Sequence, residues 1–223
     1  MDKFLEDQMS CIIFDFDGTL VDSVGVILKS SEVTCRELGI DYDPELIRSL
    51  IGLPLLQTGE ILLGPGGGQA YFDTYSRSFL SLAGRETKLF PGIRELLDDL
   101  KGIPVALVTA KSRIGLEASL KILNLENYFT AVSTASDGHG FKPEPGPALA
   151  VLSQMEQAAQ DAVFVGDSIF DIQCGQAAGT KTCAVSWGST PRKSLAAADP
   201  DYLVDKVEEL RKLLLKRLSA ARD

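Results

Sequence analysis

The sequence predicts an α/β fold: a mostly parallel sheet with helices on both faces, and a smaller all-helical segment inserted after the first strand. Three observations carry this. A short apolar run at 11–14 ends in Asp15-Phe16-Asp17-Gly18-Thr19. The stretch from about 22 to 88 shows helical periodicity and no strand pattern. From residue 91 onward, strand-like and helix-like segments alternate to the end of the chain.

The run 11–14 reads as a buried strand that delivers acids at its carboxyl end. Over 22–38, Val26, Ile27, Val33 and Leu38 recur at helical spacing, with Gly39 placed to terminate the helix. Residues 44–50, 54–63 and 69–82 read as three more helices, separated by Gly52-Leu53-Pro54 and by the glycine-rich run 64–68. No further strand is expected before residue 100. Beyond it come strands at 103–108, 129–133, 162–165 and 181–185, interleaved with helices at 91–101, 112–123, 147–155 and 169–178. A short strand at 202–204 and an amphipathic helix at 207–218 close the pattern.

Composition narrows the chemistry. Twenty-two basic against 31 acidic residues give a net charge of −9, so no global field attracts nucleic acid or an anionic membrane. An anionic substrate must be captured locally. Cys11, Cys35, Cys174 and Cys183 lie far apart and form neither a zinc motif nor a disulfide framework. The absence of an 18-residue apolar stretch, and acids at 1–10 where a signal peptide needs bases, give the expectation of a cytoplasmic protein, a monomer or small homo-oligomer. With His139 the sole histidine, the chemistry falls on carboxylates, hydroxyls and lysine.

Ligands of parallel sheets bind beyond the carboxyl ends of the strands. There the sequence places Asp15 and Asp17 after the first strand, Thr109-Ala110-Lys111 after the second, Lys142 in the loop after the third, and Gly166-Asp167-Ser168 with Asp171 after the fourth. If the extended backbone continues, Asp15 and Asp17 share a face and resist joint ionisation. A divalent cation held by Asp15, Asp17 and Asp167 relieves this, and Mg²⁺ prefers that oxygen set. Alternatively one carboxyl stays protonated and serves as an acid beside an ionised nucleophile, and both can hold together. Lys142 would hold Asp15 ionised, and Thr109 Oγ with nearby backbone N–H groups, including those of Ala110 and Gly18, would bind phosphate oxygens. Asp15 would then attack a phosphorus in line, with Asp17 switching from acid to base.

These residues resemble the haloacid dehalogenase superfamily of phosphohydrolases through Phe14-Asp15-Phe16-Asp17-Gly18-Thr19-Leu20, Val108-Thr109, Lys142-Pro143 and Val165-Gly166-Asp167-Ser168-Ile169-Phe170-Asp171. The resemblance implies a Rossmann-like catalytic core of residues 1–21 and 88–223 and a helical cap of 22–87. It implies Asp15 as nucleophile and metal ligand, Asp17 as acid/base and a ligand through its backbone carbonyl, Thr109 and Lys142 on phosphate, and Asp167 and Asp171 at Mg²⁺.

Asp17 argues against the dehalogenase branch, and the lack of histidine in 22–29 argues against sugar phosphomutases. The stretches Asp22-Ser23, Gly52-Leu53-Pro54-Leu55 and Ser186-Trp187-Gly188 are similar to the phosphoglycolate phosphatase group, which includes pyrophosphatases. The expected substrate is a small phosphorylated metabolite, 2-phosphoglycolate first, with pyrophosphate or a sugar phosphate as alternatives. A receiver-like phosphoacceptor module is the reading from another class, separated by whether phosphate is turned over. Arg48, Arg77 and Arg85 read as solvated helix faces, His139 as a loop residue and Trp187 as packing.

Overall fold

The computed structural model describes residues 9–219; residues 1–8 and 220–223, with the acidic N-terminal segment, lie outside them. The strands are β1 (Cys11–Phe14), β2 (Val21–Asp22), β3 (Lys88–Leu89), β4 (Val105–Val108), β5 (Ala131–Ser133), β6 (Ala162–Gly166), β7 (Lys181–Val185) and β8 (Tyr202–Val204). Six form one parallel sheet in the order β5-β4-β1-β6-β7-β8. The chain runs outward from β1 through β4 to β5, then returns to β6 on the other side. The carboxyl ends of β1, β4 and β6 therefore stand together where the direction reverses, the place where such sheets bind ligands.

Both faces of the sheet are covered, because residues of opposite parity enter different cores. On one side Ile12, Phe14, Leu107 and Val165 pack with Leu96 of α5 (Ile93–Asp99), Leu116 of α6 (Arg113–Leu123) and Leu210 of α10 (Val207–Ser219). On the other, Ile13, Val108 and Phe164 meet Val151 of α7 (Gly146–Gln154) and Cys174 of α8 (Ile169–Ala178). A continuous apolar strand such as β1 is stable only in this doubly covered position. All four cysteines are buried and free. Among the described residues no helix is long and apolar enough to cross a membrane.

Between β2 and β3 lie α1 (Val24–Leu38), α2 (Pro44–Leu50), α3 (Leu55–Leu63) and α4 (Gly68–Glu86). Gly39 ends α1 in the left-handed conformation at φ 69°, and Asp43 caps α2 by accepting from the N–H groups of Glu45 and Leu46. Tyr71, Tyr75 and Phe79 recur every four residues on α4 and stack at centroid distances of 6.1 and 5.9 Å. With Val26 they form this segment's own core.

The expectation of no strand before residue 100 beyond the first is corrected by β2 and β3. They form a two-residue antiparallel ribbon that pairs Val21 with Leu89 and Asp22 with Lys88. Two residues are too few for alternation to show in sequence, and the pairing is entirely non-local. The chain enters and leaves the helical segment through this ribbon. A further short helix, α9 (Arg192–Ala197), has no counterpart among the expected elements.

Candidate active site

Asp15 directly follows β1 and is anchored by its N–H, which donates to Val165 O at 2.9 Å. Its buried carboxylate meets Lys142 Nζ at 2.6 Å, and the same ammonium meets Asp171 Oδ1 at 2.6 Å. Lys142 also reaches Val108 O at 3.4 Å. Asp171 is fixed from its other oxygen by a reciprocal capping box with Ser168 at the start of α8, where the Ser168 N–H and hydroxyl both donate to Oδ2. Ser168, rather than Asp167, therefore caps this helix. That frees Asp167, whose Oδ1 accepts from Thr19 Oγ at 3.1 Å and whose Oδ2 accepts from the N–H and hydroxyl of Ser189.

The structure thus brings Asp15, Asp167 and Asp171 together, each with a carboxylate oxygen within 4.8 Å of the others. Asp17 is held apart. The period-two spacing that would put it beside Asp15 ends when the chain turns at Gly18, whose φ is 84° and whose N–H donates to Val21 O at 2.8 Å. The Asp17 carboxylate instead pairs with Lys111 at 2.8 Å. The trio of acids is therefore completed by Asp171, and the side chain of Asp17 faces a cation.

Three buried acids against one lysine leave negative charge in excess. Burial, then the neighbouring Asp171 and Asp167, push the Asp15 carboxyl well above the usual range despite Lys142. Burial followed by Asp171 pushes Asp167 up to about 6, against the Ser189 donors. Burial opposes the charge on Lys142, but Asp15 and Asp171 outweigh it and raise its pKa. Hard oxygen donors with uncompensated charge are the set that a divalent cation satisfies, so these residues fit such an ion.

Asp15, Asp17, Thr109, Ala110 and Asp167 line a cavity of about 410 Å³ between the strand ends and α1–α4. Lys142 and Asp171 lie behind this surface, 4% and 1% exposed. Gly18 lies against Asp167, where any Cβ would fall inside the carboxylate's van der Waals contact. Gly18→Ala is accordingly expected to lower kcat/KM about 100-fold by displacing Asp167, and to cost roughly 1–3 kcal/mol for the left-handed backbone. Steady-state kinetics and a denaturant titration measure the two effects.

Sequence reasoning named Lys111 among the strand-end residues and Gly188 in a family-like stretch without giving either a role, and did not single out Ser189. Gly188 and Ser189 follow β7, so the strand-end rule that found Asp15 and Asp167 also reaches them. Lys111 stands two residues beyond Thr109, whose Oγ accepts its N–H at 3.2 Å. Trp187 packs edge-on against Phe90 and donates to Thr19 O at 3.0 Å, holding the loop after β1 from outside the cavity. The His139 ring lies 3.0 Å from Ser133 Oγ, also outside it. Arg77 pairs with Glu37 on the surface, and the Arg85 side chain lies outside the described residues.

Residues 12–185 match the family described as haloacid dehalogenase-like hydrolase. A phosphoglycolate phosphatase of Aquifex aeolicus is 32% identical over 209 residues, which cover 92% of this chain and 97% of the relative. A pyrophosphatase PpaX of Bacillus cereus (strain Q1) is 31% identical over 93% of this chain and 97% of its own. Among solved structures, a haloacid dehalogenase-like family hydrolase from Streptococcus pneumoniae superposes with a TM-score of 0.82 at 26% identity, covering 92% of this chain and 98% of that one. The chain belongs to the haloacid dehalogenase-like hydrolase family and is an enzyme, a phosphatase of that family.

Proposed function

We propose that this phosphatase hydrolyses a small phosphorylated metabolite through an aspartyl-phosphate on Asp15, with Mg²⁺ as cofactor. The observation that carries the reading is the setting of Asp15: a buried carboxylate at the mouth of β1, 2.6 Å from Lys142 and open to the cavity on one side. Asp15 Oδ attacks the phosphorus, the bond to the ester oxygen breaks, and its electron pair leaves with that oxygen as Asp17 supplies a proton. Water then attacks the phosphorus, Asp17 takes its proton, and the bond to Asp15 breaks to release inorganic phosphate. Thr109 Oγ with the N–H groups of Ala110 and Gly18 binds the phosphoryl oxygens, while Lys142 offsets the charge on Asp15. Asp15, Asp167 and Asp171, with the backbone carbonyl of Asp17, would hold Mg²⁺, which when bound would supply positive charge to offset that of the phosphoryl group. Residues 22–87 are the cap, and its closure on the strand ends excludes water during the attack.

The names of the relatives make 2-phosphoglycolate the first substrate to assay and pyrophosphate the second. Phosphate release from these and from p-nitrophenyl phosphate is expected to need Mg²⁺, to cease with EDTA and to return on adding excess Mg²⁺. Formation of a long-lived phosphoprotein without sustained release would instead favour the phosphoacceptor module.

A further inference from the structure

The wall of the cavity that faces Asp15 is largely apolar. Leu55 of α3 and the aromatic stripe Tyr71, Tyr75 and Phe79 of α4 line it, with Ile27 of α1. Among the described residues lining the cavity, the sole cation is Lys111, and it is already engaged. Its ammonium pairs with Asp17 at 2.8 Å and stands 4.4 Å over the Phe79 ring. Neither Arg48 nor Arg77 reaches the lining. Of the hydroxyls there, Thr58 donates to Pro54 O, while Ser31 and Ser136 accept from Tyr71 Oη and the Arg113 N–H and keep their own O–H groups as donors. Leu80 of α4 and Ile114 of α6 are 56% and 76% exposed and line the same cavity.

A carboxylate or second phosphoryl group placed against this wall would lose its hydration and meet no cation other than Lys111, which Asp17 already pairs. An uncharged apolar group would cover exposed carbon and displace water from an aromatic surface. The volume of about 410 Å³ lies in the range of organic ligand sites, about 300–1,000 Å³.

We propose that the preferred substrates are phosphate monoesters whose leaving group is an uncharged alkyl or aryl alcohol, selected by Leu55, Tyr75, Phe79, Leu80 and Ile114. This rests on the phosphatase reading above and narrows its substrate class away from 2-phosphoglycolate and pyrophosphate.

The test compares unactivated esters, ethyl through hexyl phosphate, with 2-phosphoglycolate and pyrophosphate, using the full chain with Mg²⁺. In parallel, calorimetry measures binding of hexylphosphonate and phosphonoacetate. The expected result is a gain in kcat/KM of roughly threefold to fourfold per added methylene along the series. Hexyl phosphate should exceed 2-phosphoglycolate at least tenfold, and hexylphosphonate should bind more tightly than phosphonoacetate. Leu80→Ser and Ile114→Ser, both exposed and tolerable to the fold, should lower the hexyl-to-ethyl ratio about fivefold. Leu55→Lys should shift preference toward 2-phosphoglycolate. A flat alkyl series, or faster turnover of 2-phosphoglycolate or pyrophosphate that is lost in Asp15→Asn, would overturn this proposal and leave the phosphatase reading standing. Hydrolysis of no ester, with hexylphosphonate still bound preferentially, would overturn the phosphatase reading and leave the cavity preference. Neither hydrolysis nor binding would overturn both.

Discussion

Asp15→Asn is expected to reduce phosphate release by a factor on the order of 10⁴ or more, with the fold preserved. The nearly isosteric amide keeps an oxygen to accept from Lys142 but offers no anionic nucleophile. Its effect on stability combines two opposed changes. Half of the Lys142–Asp15 ion pair is lost, yet Lys142 keeps Asp171 at 2.6 Å, and one of three crowded acids becomes neutral. The unfolding free energy should therefore change by no more than about 1 kcal/mol, as for exchange of a single hydrogen bond. Acid quench with labelled substrate should trap phosphoprotein in the parent and none in the variant. Turnover above a tenth of the parent rate would show that another group attacks, and the role given to Asp15 would fall.

The sheet and its strand-end acids were legible because both depend on local pattern. A four-residue apolar strand followed at once by Asp15 needs no distant information to be read, and the alternation after residue 91 implies the crossovers. Other features depend on partners far away in sequence. Asp17 and Lys111 are 94 residues apart, and only the turn at Gly18 sends the Asp17 carboxylate toward that lysine. Asp171 reads locally as a first-turn acid favouring the helix dipole, which it is; its second oxygen acquires its meaning from Lys142, 29 residues earlier. The ribbon of β2 and β3 fails to register for the same reason, since its two strands are separated by the whole helical segment. The apolar cavity wall was hidden differently. Tyr71, Tyr75 and Phe79 at spacings of four are indistinguishable from an ordinary core stripe, and they do form a core; that the same rings also border the site is a fact of tertiary placement.

Replacing Lys142 separates what that lysine does for the fold from what it does for the reaction. Lys142→Met removes the ammonium that sits between Asp15 and Asp171 and leaves a side chain of similar length in the same buried space. Breaking a buried pair from one side leaves uncompensated charge, a loss of about 3–5 kcal/mol, which is a large share of the roughly 5–15 kcal/mol that holds a domain together. The loss should depend on pH in a definite direction. Burial already pushes the Asp15 carboxyl upward, and without Lys142 it rises further. A folded-state pKa above the unfolded value means that the penalty is absent below about pH 4 and grows as pH rises through the folded value. In EDTA, parent and variant should therefore unfold at similar denaturant concentrations near pH 4 and diverge steadily toward pH 8. At pH 7 under conditions where the variant stays folded, turnover should fall on the order of 10³-fold, because Asp15 loses the buried cation that offsets its charge. Lys142→Arg should recover part of the stability but little turnover, since a planar guanidinium cannot occupy the compact position between two carboxylates. A variant gap that stays constant from pH 4 to pH 8 would mean that Lys142 stabilises through packing rather than charge, and turnover within tenfold of the parent would remove it from the catalytic set.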